Sequence, residues 1–535
     1  MSALFRSTGL LTGRLLPVFC MTVVVAASLS TSTRSAYAAP FDAAAESVLD
    51  YREQIGTPQA QCKRLTTLTS PDLAIVEATL ITEAEVAYCR VRGVIPLEIR
   101  FEITLPTQWN GRFYMYGNGG LAGTPPEDES RRSIALQAME HGFATAYTDT
   151  GHDSRVETGG TFAHGKLHKL IDYGFRAVHL TSTAAKEIIQ AYYAQPANYS
   201  YFQGCSTGGR QAMISAQRFP DDFDGILAGA PAADYSGLKF AQAWRSKALI
   251  DKPFREQDVE RLAQVIYAKC DGIDGLVDGL IDDPRACPFD VQKDLPKCAR
   301  GEEKNCFTQA QVSALETYYA PVKLAGQQVY PAHPVGSEIP GPAAGGAMRT
   351  GWVPWLLNEQ GRTVLDLLGS DFFRYMAFVA DDAEYNWTEF DFASVPDNIE
   401  EFRAIVDALD PDLRAFHERG GKLISYFGWA DPDINPLTAI DYFDAVAGRM
   451  PIDEFYRLYM VPGLFHCRGG PGFEQFDLMS PLINWVENGV RPDAVVAHRT
   501  FENAAQTRPL CPHPQKAHYK GKGDPAQAAS FECRK

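Results

Sequence analysis

The chain has 535 residues, more than one hydrophobic core usually organises, and its 45% hydrophobic and 22% charged residues, without an internal repeat, describe a folded protein rather than a disordered or fibrous one. With 66 acidic against 50 basic residues the net charge is -16, which repels polyanions and sets nucleic-acid binding aside.

The N-terminus reads as a secretory signal over residues 1–38. Arg6 and Arg14 precede an apolar stretch from Leu15 to about Leu29, and Ala36-Tyr37-Ala38 offers a small-x-small cleavage site. That stretch is shorter than the roughly 20 residues a membrane span needs, so no membrane association is expected once the leader is cut. Cys20 leaves with the leader. Ten of the 11 cysteines remain, an even number in a chain bound for an oxidising compartment, which suggests five disulfides without giving their pairing.

From Leu97 to Leu105 apolar and polar residues alternate, with Ile99, Phe101 and Ile103 on one face, the pattern of a half-buried strand closed by Pro106. A second strand, Arg112 to Tyr116, runs into the loop Gly117-Asn118-Gly119-Gly120. Phe143 to Tyr147 is a third. A helix from Gly174 to Tyr193 leads to the strand Tyr199 to Gln203. After Gly209 the period becomes helical, with Ala212, Met213, Ala216 and Phe219 on one face, and ends at Pro220; Gly225 to Ala228 is the next strand. From about Tyr235 to Asn398 the regularity breaks down into acidic turns, scattered aromatics and a Pro/Gly-rich loop, Pro331 to Ala347. The strand Lys422 to Phe427, a helix near Leu437 to Ala447 and the strand Phe455 to Val461 resume the pattern. The expectation is an α/β fold of the α/β-hydrolase type: residues 39–234 and 399–535 form the catalytic domain and 235–398 an inserted lid domain.

The chemistry centres on Ser206. A serine hydroxyl is a poor nucleophile unless it is exposed beside a base and near donors for an oxyanion. The strand ending at Gln203, the turn Gly204-Cys205-Ser206-Thr207-Gly208 and the following helix supply the G-x-S-x-G elbow in the context that chemistry needs. In this fold the acid and then the histidine follow on later loops. Of His466, His498, His513 and His518, only His466 directly follows a buried-looking strand and a Gly-containing turn. Asp431 and Asp433 both follow the strand ending at Phe427-Gly428; Asp431 comes first and is taken as the acid, while Asp433 is read as a cap for the next helix. The oxyanion is assigned to the amide of Thr207 and to that of Gly119 or Gly120.

Cys205 directly before Ser206 and Cys467 directly after His466 resemble the CS-D-HC arrangement of the tannase and feruloyl esterase family, which includes mono(hydroxyethyl) terephthalate hydrolases. The run Gly204 to Arg210, the loop Gly428-Trp429-Ala430-Asp431 and the His466-Cys467 pair carry the resemblance over nearly the whole mature chain. It implies a disulfide between Cys205 and Cys467, and pairs Cys62 with Cys89, Cys270 with Cys287, Cys298 with Cys306 and Cys511 with Cys533. Thr207 matches feruloyl esterase and tannase members rather than the terephthalate branch, where an acidic residue is one known variant.

Asp271, Asp274, Asp278 and Asp282 crowd one short run and repel unless neutralised. Oxygen donors and glycine turns suit Ca²⁺, although the spacing is not that of an EF-hand. The resemblance implies the same, with Asp271, Asp274 and Asp278 as carboxylate ligands and Leu276 and Leu280 as carbonyl ligands of a structural calcium. No organic cofactor is expected. The resulting reading is a secreted serine carboxylesterase acting on small aromatic or phenolic acid esters. The alternatives are a terephthalate monoester hydrolase of the same family, or a non-catalytic binding protein of this fold. Trp352, Trp355, Phe372, Phe373, Tyr375 and Trp387 offer aromatic surface in the lid, and Arg374 a partner for a substrate carboxylate or a surface ion pair.

Overall fold

The computed structural model describes residues 41, 47–250, 254–301, 304–339, 351–357, 363–378, 381–501 and 504–535. The leader expected over residues 1–38, with Cys20, lies outside them, as does the Pro/Gly-rich loop beyond residue 339. Among the described residues no helix is long and apolar enough to cross a membrane.

Nine strands form the central sheet: β1 (Ala74–Ile81), β2 (Tyr88–Ile95), β3 (Ile99–Pro106), β4 (Arg112–Tyr116), β5 (Ala144–Thr148), β6 (Tyr199–Cys205), β7 (Gly225–Gly229), β8 (Lys422–Gly428) and β9 (Tyr456–Val461). Their spatial order is β1-β2-β3-β5-β4-β6-β7-β8-β9. The first three run as an antiparallel meander and β3 meets β5 antiparallel. From β5 through β9 all neighbours are parallel, which places the carboxyl ends of β4, β6, β8 and β9 on one edge. This is the α/β-hydrolase fold.

The strand read from Leu97 to Leu105 is β3, but it is buried on both faces rather than half-buried: Glu102 and Thr104, the polar alternates, are buried with Ile99, Phe101 and Ile103. Arg92 on β2 donates to the Glu102 carboxylate at 2.6 Å, which makes that burial tolerable. The same charge pairing explains why β1 and β2 escaped the apolar periodicity, since Arg90 and Arg92 lie in β2 and Glu77 in β1.

Helix α1 (Glu129–Glu140) buries only Ala135, Ala138 and Met139, too thin a stripe to register in sequence; the side chain of Asp128 caps it at the Ser130 amide. The helix expected from Gly174 begins at Ala177, as α2 (Ala177–Tyr193), after a π-helical turn Asp172–Arg176. Helix α3 (Thr207–Arg218) follows β6 directly.

The insertion between β7 and β8 holds more regular structure than its sequence announces. Helices α4 (Tyr235–Leu249), Glu256–Cys270, Gln309–Tyr319 and Val364–Tyr375, and a short hairpin of Val322–Leu324 with Gln327–Tyr330, lie within it. Helix α4 is buried along most of its length and packs Phe240 against Phe372 and Phe373 of Val364–Tyr375. A helix buried on all sides lacks the polar stripe that makes periodicity legible.

Candidate active site

Ser206 ends the turn between β6 and α3 with φ 65 and ψ -122, a backbone conformation that non-glycine residues rarely adopt. The turn is held from both sides: the Ser206 amide donates to the Gly229 carbonyl at 3.0 Å, and the Ser206 carbonyl accepts from Arg210 and Ala232 at 3.0 and 3.2 Å. It closes this tightly because two glycines touch. A Cβ on Gly204 would sit 2.5 Å from the Gly208 backbone, and one on Gly208 would sit 2.9 Å from the Asn118 carbonyl oxygen.

Thr207 opens α3, so its amide belongs to the first turn and has no intrahelical acceptor. Its hydroxyl donates to the Gly120 carbonyl at 2.5 Å, and Tyr173 donates to the same oxygen at 3.2 Å. These bonds fasten the loop after β4 to the elbow. Among the described residues, a Cβ on either Gly119 or Gly120 would meet nothing within 4 Å.

The other two residues arrive on the loops after β8 and β9. His466 Nδ1 lies 2.7 Å from Asp431 Oδ2. The other Asp431 oxygen accepts the amides of Asp433 and Ile434 at 2.9 and 3.0 Å, which leaves the carboxylate fixed and fully buried. The imidazole is 12% exposed. Burial alone would lower its pKa; the charge and hydrogen bond of Asp431, joined by the charge of Asp433, outweigh that and hold it above the ordinary histidine value. Among the four histidines weighed, His466 is the one whose ring meets Asp431; His498 lies in the strand Val495–Phe501, and His513 and His518 lie beyond it.

Cys205 and Cys467 are joined, Cα to Cα 6.0 Å, which ties the elbow to the histidine loop. Cys467 itself has φ 63, so a residue at each end of the bridge, Ser206 next to Cys205 and Cys467 itself, departs from ordinary backbone geometry. The remaining bridges are Cys62–Cys89, Cys270–Cys287, Cys298–Cys306 and Cys511–Cys533, the pairs that the resemblance implies.

A family model described as tannase and feruloyl esterase matches residues 84–534. The chain belongs to that family. It is a carboxylic ester hydrolase. Its relatives include the mono(2-hydroxyethyl) terephthalate hydrolase of Piscinibacter sakaiensis, 33% identical over 522 residues that cover 85% of this chain and 86% of that one. A probable feruloyl esterase of Arthroderma benhamiae is 35% identical over 461 residues, covering 81% and 82%. The crystal structure of feruloyl esterase B from Aspergillus oryzae aligns with a TM-score of 0.76 at 26% identity, covering 89% of this chain and 100% of that one.

Within this esterase the sequence reading of Asp433 needs correction. Its carboxylate does not cap the helix Leu437–Ala447; Asn435 bonds the Leu437 amide instead, at 3.0 Å. Asp433 turns inward, buried, and accepts from Gln242 Nε2 at 2.8 Å. The insertion also brings Trp355 edge-on to His466, with ring centroids 5.5 Å apart. The other aromatic candidates stay away from that contact: Trp352, Phe372, Phe373 and Trp387 are core residues, Tyr375 meets the ring of His164, and Arg374 donates to the Tyr385 carbonyl. Arg210, which closes the Gly204 to Arg210 run and was given no role of its own from the sequence, is completely buried, stacks on Tyr173 and Tyr235 and donates to the carbonyls of Tyr173, Gly174 and Val406.

The acidic run folds as a short turn, Asp271–Asp274, and a loop. Asp271 accepts the amides of Asp278 and Gly279, both at 3.1 Å, and Asp274 that of Leu276 at 3.0 Å. Arg508, from the strand Ala504–Leu510, reaches Asp278 at 2.7 Å and Asp282 at 3.7 Å, supplying part of the neutralising charge that this crowding demands. One oxygen each of Asp278 and Asp282 is buried without a hydrogen-bond partner. Among the described residues no group of three or more His, Cys, Asp or Glu converges into a metal-binding cluster.

Proposed function

We propose that this esterase hydrolyses esters of aromatic acids, of the feruloyl, galloyl or terephthalate monoester kind, through an acyl-enzyme on Ser206. The observation that carries the reading is the Cys205–Cys467 bridge, which holds the strained elbow beside a histidine already paired with a buried aspartate. Ser206 attacks the ester carbonyl while His466 takes its proton, and Asp431 holds the imidazole in the tautomer that can accept it. The amide of Thr207 and that of Gly119 or Gly120 stabilise the tetrahedral oxyanion, each donor contributing about 3 kcal/mol. His466 returns the proton to the leaving alcohol, and water then releases the acid by the same route. The aromatic acyl group is supported by the Trp355 ring beside His466 and by the activities for which the relatives are named; Thr207 favours the feruloyl and galloyl branches.

A fluorophosphonate probe tests the mechanism. It should label Ser206, and Ser206→Ala should lose both the label and at least about 10⁴-fold of kcat. Labelling that survives Ser206→Ala, or absence of labelling in folded protein, would show a binding protein or another chemistry. Rates on methyl ferulate, methyl gallate and a terephthalate monoester rank the acyl groups. Residues 1–38 act in this reading as an export leader, so N-terminal sequencing of the exported protein should begin at Ala39.

The same reading includes a structural Ca²⁺ held by the carboxylates of Asp271, Asp274 and Asp278 and the carbonyls of Leu276 and Leu280. The all-oxygen donor set supports it, as does the Asp278 oxygen that is buried without a hydrogen bond among the described residues. The ion would supply charge to a loop; no chemical step passes through it.

A further inference from the structure

Behind the candidate acid and base lies a polar chain that the mechanism above does not use. Lys239 and Gln242 stand one helical turn apart on α4, both buried. Lys239 Nζ donates to Gln242 Oε1 at 3.2 Å, and Gln242 Nε2 donates to Asp433 Oδ1 at 2.8 Å. The amide is therefore oriented by its two neighbours, oxygen toward a cation and nitrogen toward an anion. Apart from Gln242, the Lys239 ammonium meets the face of Tyr235, at 4.8 Å. Two buried ionisable side chains are joined through one amide.

We propose that Asp433, whose amide donates to the same Asp431 carboxylate that His466 meets and whose own carboxylate is held by the Lys239–Gln242 relay, is a positioning residue that adds a second negative charge behind His466 and so stabilises the imidazolium formed when Ser206 attacks. The proposal rests on the reading of His466 as the base.

Burial raises Asp433, and the neighbouring charge of Asp431 adds to that; His466, Gln242 and Lys239 work against it. Burial also pulls the Lys239 ammonium down to about 8, which leaves it charged at neutral pH. The remaining surroundings do not replace this cation. Arg245 of α4 donates to the Asp433 carbonyl rather than to its carboxylate. Tyr235, Tyr318 and Tyr330 feel the carboxylate but are pushed by burial far above neutrality and stay uncharged. Lys239 in turn faces Asp371 and Arg210, which oppose one another in sign. On the imidazole, Asp431 and Asp433 act in one direction and Arg468 in the other.

The sign of the effect is testable. A nearby anion raises the imidazole pKa, so removing it must lower that pKa. Asp433→Asn keeps the shape and removes the charge. In ¹³C-histidine-labelled protein it should move the His466 titration down by about one unit. The acid limb of kcat/KM should move with it, while the plateau of kcat falls about 5–10-fold. Gln242→Leu breaks the relay without altering formal charge; it should shift the limb the same way by less, and add nothing in the Asp433→Asn background. An unmoved or upward-moving His466 titration in folded Asp433→Asn overturns the proposal. So does a Gln242→Leu shift of equal size with and without the Asp433 charge. If Asp433→Asn does not fold, an unmoved titration in Gln242→Leu alone overturns it. Activity surviving His466→Ala would instead remove the base assignment, and the NMR titration, which needs no turnover, separates the two failures.

Discussion

Ser206 adopts a backbone conformation that costs a non-glycine residue about 1–3 kcal/mol, and it is repaid by the bonds that surround the turn. His466 makes a demand on pH. The proposed mechanism needs its neutral form, and its pKa is held above the ordinary value, so activity should be lost as pH falls through a midpoint above about 6.5. Asp431→Asn removes the larger of the two anionic influences; kcat should fall about 10⁴-fold, and the residual activity should extend to lower pH. A pH profile of kcat/KM for both proteins checks the point, and an acid limb that stays put in the variant would contradict the role given to Asp431. The elbow at Ser206 and the meeting of Asp431 with His466 were legible because chain order and strand context constrain them. Asp433 was not: the residues that define its role, Gln242 and Lys239, lie some 190 positions earlier, and only folding brings them to it. Trp355 was legible as an aromatic of the insertion, while its contact with His466 was not.

Among the elements, the parallel half of the sheet could be read and the antiparallel half largely could not. β4, β6, β7, β8 and β9 are short apolar runs bounded by glycine and by loops, the signal a buried parallel strand leaves. β1 and β2 carry arginines and a glutamate that pair across the sheet, and such pairing imitates a polar surface in one dimension. Helix α4 fails for the opposite reason, since burial on every side removes its amphipathic contrast. The elbow shows how one element sets the precision of another. With Gly204 and Gly208 in contact, β6 and α3 close at a fixed angle, and the hydroxyl of Thr207 then anchors the loop after β4 through Gly120.

Across the whole molecule, the acidic loop of the insertion is bound to the C-terminal hairpin of Val495–Phe501 and Ala504–Leu510 through Arg508, and through Arg499, which donates to the Asp278 carbonyl at 3.2 Å. If calcium holds that loop, its removal loosens this junction rather than the chemistry. Dialysis against a chelator should lower the melting temperature by several degrees, corresponding to about 2–4 kcal/mol, and added Ca²⁺ should restore it. Turnover per folded molecule at low temperature should be unchanged. Purified protein that carries no calcium by elemental analysis, and whose melting does not respond to the ion, would remove the site.

The bridge between Cys205 and Cys467 spans 262 positions and has Ser206 and His466 just inside its two ends. The segment between them is therefore a covalent ring clasped beside Ser206 and His466, with the whole insertion strung along its circumference. A protease that nicks the chain at any one point on that circumference opens the ring but frees no fragment, and the two new ends remain fastened at the clasp.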